Sequence, residues 1–295
     1  MGNAFRSEWV KLRRPGFLLG AAAAMAVFAA LSTLSRFRLA AFASRLASRR
    51  QLLGQGSVVD GAGQAAGGGA GVRGRGLAQA ADLIDRLAEP AGWLTGFTAS
   101  GRFIGFVALV VFAMSVGQEY RLGTLRSLLV VEPRRLQLLG GKLLALASLL
   151  AAAICVGMIA ALLVAVLSAG SVPIPTRAWA SSAPDAAAIF VNVWAAAVTW
   201  GVIGSLLAVA FRGNAPAIGV GLVYGLLGEP ILATVVGQIT VEGVALWLPS
   251  RALATLASGG SADMGFTTVL AVAVGYAVAA TVGLAALVRR SDVTV

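Results

Sequence analysis

The chain has 295 residues, 58% of them hydrophobic and 12% charged, and a formal net charge of +11. A mean hydropathy of +0.87 excludes an ordinary soluble domain and makes this an integral membrane protein. There is no histidine and one cysteine, Cys155, so Ser-His-Asp hydrolysis, Cys-His chemistry, the usual zinc sites and an intrachain disulfide are excluded together.

The first element is NAFRSEWVKLRRP, in which Phe5, Trp9 and Leu12 recur at i, i+4 and i+7 with Arg6, Lys11 and Arg13 between them. This predicts an interfacial amphipathic helix over residues 1–15 that leads into the membrane. A basic stretch before an alanine-rich run also fits a signal peptide, but Glu8, Trp9 and the helical pattern weigh against it.

Six apolar runs are long enough to cross a hydrocarbon core of about 30 Å: Gly16–Leu34, Trp93–Gly117, Leu143–Ala169, Ala186–Phe211, Ala215–Ala233 and Met264–Val288. The fold expected is an all-α membrane domain of six transmembrane helices that occupies residues 1–295. Six spans put both termini on one side, and the short loops decide which. Twelve bases fall on the side of the termini, among them Arg6, Lys11, Arg13, Arg14, Arg212, Arg289 and Arg290. Long loops translocate largely regardless of charge, so both termini are assigned to the cytoplasm. The bases sit at the ends of apolar runs and form no continuous stripe, which argues for bilayer orientation and against nucleic acid. Cys155, inside the third run, is read as a small buried hydrophobe.

The outer loop, residues 35–92, divides into a basic amphipathic piece from Arg36 to Leu53, a linker over 54–76 and a second helical piece from Leu77 to Glu89. Ten of the 23 linker residues are glycine, the composition of a flexible spacer. Its GAGVRG, Gly69 to Gly74, matches GxGxxG but follows no strand and opens no βαβ unit, so it carries no nucleotide site. In the second piece Leu77, Ile84 and Leu87 share a helical face, which either lies on the outer leaflet or pairs with the first piece.

Between the second and third spans stands GQEYRLGTLRSLLVVEPRRLQLLGGK, residues 117–142, with two acids, five bases and one proline. Thr124 can cap a short helix and Pro133 stops it. Leu125 and Leu128, with Leu129, share one face, and Arg126 and Glu132 lie away from it. A helix of about two turns is marginal alone in water. It therefore rests either on the membrane surface or in the groove of a cytoplasmic partner.

SEWVKLRRP, the run from Gly117 to Leu146, the six-span topology and the WLP at Trp247 to Pro249 together resemble the permease subunits of bacterial type-2 ABC exporters. The resemblance covers essentially the whole chain, and its most specific part is E-x3-GTLRxLL-x3-PxR, Glu119 to Arg135. It implies a multi-pass protein of the bacterial cytoplasmic membrane, with a coupling helix that docks on a separate ABC ATPase subunit. The docking residues it implies are Glu119, Gly123, Thr124, Leu125, Arg126, Leu128, Pro133 and Arg135, none of them catalytic. It also implies a second permease copy, identical or merely similar, and ATP and Mg held by the partner. The chain has no GxxxxGK[ST] of its own, since Gly141-Lys142 is followed by Leu143. The long glycine-rich outer loop departs from the simplest members.

Two charges fall within spans. Phe103 to Val116 is too short to cross, so the second span must begin near Trp93, an interface anchor, which draws Arg102 into the outer half of the bilayer. Glu229 stands 15 residues beyond Asn214 and also reaches the outer half. The expectation is a pair, direct or through water, because an isolated intramembrane charge is costly; separate snorkelling to the headgroups is the alternative. Gly221 and Gly225 form a GxxxG step suited to close packing within the subunit. The competing functional reading is an ATP-independent secondary transporter or channel, for which carboxylates would be needed in several span interiors. A membrane transferase or protease has still less chemistry to work with. The glycine- and alanine-rich interior suits amphiphilic or hydrophobic cargo.

Overall fold

The computed structural model describes residues 15–54, 81–121, 135–239, 244–261 and 263–290, and the regular structure among them is all helical. In chain order come α1 (Pro15–Gly54), α2 (81–88), a 3-10 turn (Gly92–Leu94), α3 (Thr95–Ala99), α4 (Gly101–Arg121) and α5 (Arg135–Ser168). After a 3-10 turn at Thr176–Ser181 follow α6 (Ala183–Ala210), α7 (Asn214–Val223), a π turn (Tyr224–Gly228), α8 (Glu229–Ile239), α9 (Pro249–Ala257) and α10 (Phe266–Arg290). Among the described residues, six helical segments are long and apolar enough to cross a membrane: Leu19–Leu46, Gly101–Glu119, Leu136–Ser171, Ala183–Ala210, Asn214–Val235 and Phe266–Arg289. They overlie the six expected runs.

Burial sorts these spans. About three fifths of the span windows of α4 and α6 is buried, against 22% for α1, α7–α8 and α10. The first two are thus the centre of the bundle, and the others present broad apolar faces outward, as a bilayer requires. Cys155 lies on such a face of α5 and is exposed, which corrects its reading as a buried residue. Packing between neighbours is close: Trp194 on α6 donates its indole N–H to the Ala147 carbonyl of α5 at 2.9 Å, and Phe106 of α4 meets Trp200 of α6 edge-on, with ring centroids 5.3 Å apart.

The basic piece from Arg36 to Leu53 is not separate from the first span. α1 runs unbroken for 40 residues, about 60 Å of helix, because neither proline nor glycine occurs between Gly20 and Gly54 and its later turns still have a partner. Phe37, Ala40 and Ala41 are buried with Leu83 and Leu87 of α2, so α2 pairs with the first piece and does not rest on a leaflet. Trp179 closes this contact, with its ring edge-on to Phe37 at 6.3 Å and its indole N–H on the Leu87 carbonyl at 3.0 Å.

The approach to the second span begins where expected but is segmented. Gly92–Leu94 and α3 lead into α4 through Ser100, whose N–H still reaches the Gly96 and Phe97 carbonyls at 3.2 and 3.0 Å. Trp93 is buried here, donating to the Ser182 hydroxyl at 2.9 Å, and so packs inside the protein where an interface anchor was expected.

Candidate functional site

Residues 122–134 lie outside the described residues, and with them Gly123, Thr124, Leu125, Arg126, Leu128 and Pro133 of the docking run. Phe5, Trp9 and Leu12 of the N-terminal segment and the linker over 55–76 lie outside them as well. The two ends from which the docking run springs are described. α4 delivers it at Arg121 and α5 takes it up at Arg135.

These ends are tied together. Glu119, on the last turn of α4, accepts from the Lys142 ammonium of α5 at 2.5 Å, and the same nitrogen donates to the Ser115 carbonyl at 2.7 Å. The Lys142 side chain is 5% exposed and that of Glu119 18%. A lysine this deep is held only if its charge is met, and here a carboxylate and a carbonyl on successive turns of α4 meet it. Spacing supports the geometry: Ser115 and Glu119 are four apart and share one face of α4. The same turn of α4 also touches the fifth span. A Cβ on Gly117 would lie 2.6 Å from the Asn214 backbone nitrogen, so only glycine lets the end of α4 meet the start of α7. The docking run therefore stands on a base in which three spans are locked.

The second polar locus lies at the other end of α4 and is organised by Pro230. Proline has no N–H, so one carbonyl about a turn earlier loses its helical partner. The chain responds with a π turn, in which the Glu229 N–H bonds to Tyr224, five residues back. The Gly225 carbonyl, for which Pro230 would be the partner five residues on, takes its hydrogen bond from the Arg102 guanidinium of α4. That guanidinium lies over the Phe106 ring, 5.7 Å from its centroid. Gly225 and Gly221 admit α4 closely: added Cβ atoms would lie 2.5 Å from the Phe106 ring and 2.8 Å from Leu109. The glycine pair thus packs within the subunit, as expected.

Glu229 is 1% exposed, and its carboxylate has a different partner from the one expected. One oxygen accepts from the Ser250 N–H at 2.8 Å and the other from the Arg251 N–H at 2.9 Å. It caps the first turn of α9, where the residue at the N-cap position, Leu248, supplies no side-chain bond. Arg102 and Glu229 are thus both drawn to the π turn, each to its own partner, and no direct ion pair joins them among the described residues. Tyr276 of α10 steadies the approach to α9 by donating to the Trp247 carbonyl at 2.8 Å.

Lys142 and α9 are what sequence reasoning missed. The signal for the first was a lone lysine at the head of an apolar run, and for the second an acid followed by proline in mid-span. No curated protein and no solved structure gave a match. The family described as ABC-2 family transporter protein matches residues 88–228, from the end of α2 through the whole docking run to the last residue of the π turn, and this bears out the resemblance of the sequence to the permease subunits of type-2 ABC transporters.

Proposed function

We propose that the chain is the membrane-spanning subunit of an ATP-driven exporter of the bacterial cytoplasmic membrane. A separate ABC ATPase docks on the run from Glu119 to Arg135, on the cytoplasmic side, and ATP and Mg are held by that partner. The observation that carries the reading is the part-buried Glu119–Lys142 contact at the ends of this run, within the matched segment. A loop that merely rested on the membrane would need no such base. A loop that transmits force does, because a push on its tip reaches the spans only if its two roots move together. With Gly117 seated against Asn214, the push would be shared among α4, α5 and α7.

A second copy of the permease, identical or similar, completes the pathway in this reading, and the poorly buried α1, α7–α8 and α10 supply candidate faces for it. The small-residue, apolar interior suits an amphiphilic or hydrophobic substrate. Replacing both Leu125 and Leu128 by Asp should abolish co-purification of the ATPase while the permease still inserts. Undiminished co-purification with the double variant would overturn the docking assignment.

A further inference from the structure

We infer that α9 is a displaceable plug at the end of the bundle opposite the docking run, that the Glu229 carboxylate is its latch, and that the π turn is the hinge that works the latch. The inference deepens the exporter reading and rests on it for purpose, though not for geometry.

α9 is seated by apolar contacts and, among the described residues, by the polar attachment to Glu229. Leu253 and Leu256 are each 1% exposed and join Phe106, Leu109 and Trp200 in one buried cluster, so the helix closes the central pair α4 and α6. At its other end Ala257 abuts Gly101, where an added Cβ would come within 2.8 Å. The first-turn N–H groups of α9 would be unsatisfied without Glu229, and Glu229 would be a buried unpaired charge without them. Each keeps the other in place.

The π turn gives this attachment two possible states. A π turn holds one residue more than the α path beside it. Converting it to α geometry rotates everything after it by about 100°, one residue of a helix with 3.6 per turn. Glu229 is the first residue beyond the turn, so the rotation carries its carboxylate off Ser250 and Arg251. The same conversion returns the Gly225 carbonyl to the Glu229 N–H, four residues on, and releases Arg102. Arg102 is thus a positioning residue that holds the seated register, and a movement of α4 relative to α7 would be enough to trip it. Tyr224 through Leu227 are free to reorganise on their outer side, since Leu226 and Leu227 are 46% and 61% exposed.

Two buried serines make a matched test. The hydroxyls of Ser250 at the latch and Ser205 in α6 are both buried without a hydrogen bond, so Ser250→Cys and Ser205→Cys remove no contact. Each is placed in the full-length chain with Cys155→Ser, in membrane vesicles, and its reaction with N-ethylmaleimide is timed. With Glu229→Ala the cysteine at 250 should react on the order of tenfold faster, the scale of a lost charge-assisted cap, and the cysteine at 205 should not change. Glu229→Gln, which keeps the size and one acceptor, should give a smaller increase, and serves if the alanine variant fails to insert. Deleting Leu227 removes the extra residue of the turn while leaving Glu229 facing α9, so it should keep position 250 as slow as in the parent. An unchanged rate at 250 in both Glu229 variants, or equal acceleration at 205, overturns the latch; fast labelling in the deletion overturns the hinge. If Glu229→Ala accelerates labelling but ATP with the ATPase leaves the parent rate untouched, the latch stands and the exporter reading falls.

Discussion

A carboxylate lies near each end of α4, part-buried at Glu119 and fully buried at Glu229, and the two are used differently. Glu119 is matched by a full opposite charge on a neighbouring span, whereas Glu229 is matched by two backbone N–H groups of a nine-residue helix. The charge pair joins two long helices that meet little elsewhere and are packed mainly on other neighbours, α4 on α6 and α5 on α1, so it ties together the ends of two separately anchored spans. A cap on a short helix holds only that helix. The first arrangement suits a joint that must not give, the second one that must.

The contrast is broken most severely at the charge pair. Lys142→Met leaves Glu119 without its partner and should cost about 3 kcal/mol, the low end for breaking a buried pair, seen as a lowered unfolding midpoint in detergent. Lys142→Met with Glu119→Gln should recover most of the loss. A midpoint equal to that of the parent in the single variant would mean that the base of the docking run is not locked.

At the far end the effect should be intermediate. Gly225→Ala drives a Cβ to 2.5 Å from the Phe106 ring, and overpacking of this kind costs about 1–3 kcal/mol. Gly219, two turns earlier on the lipid-facing side, has nothing within 4 Å of its own added Cβ; Gly219→Ala should be neutral or slightly stabilising. Equal melting of the two variants would remove the close α4–α7 contact from the account. The mildest change sharpens the comparison by assigning each end to a side of the membrane. With Cys155→Ser, Gly68→Cys should react with an impermeant maleimide added to intact cells, at no cost in stability. Labelling only after lysis would put the docking run outside and reverse the topology.

The spans were legible because a bilayer imposes a length, and apolar runs of that length leave few other placements. Residues 117–142 stood out for the opposite reason, as a polar stretch that no span could absorb, though residues 122–134 within it lie outside the described residues. What could not be read were partners far apart in sequence. Glu119 and Lys142 were both in view, but nothing in their spacing says that two helices bring them together. Glu229 was correctly singled out as a charge needing a partner, yet the search went to another charge, and backbone N–H groups leave no mark in a sequence. The separation of Arg36–Leu53 from the first span failed because a basic amphipathic pattern reads the same whether it lies on a membrane or continues a helix out of it.

The unbroken length of α1 has a mechanical consequence. At about 60 Å it is twice as long as the core it crosses is thick, and its far half is braced by α2 and by the 3-10 turn holding Trp179. A tilt of 5° about its Pro15 end would carry its tip at Gly54 sideways by about 5 Å, one full helical pitch. A rearrangement of the bundle too small to open a gap between helices in the membrane would thus appear at the root of the glycine-rich linker as a stroke large enough for another molecule to follow.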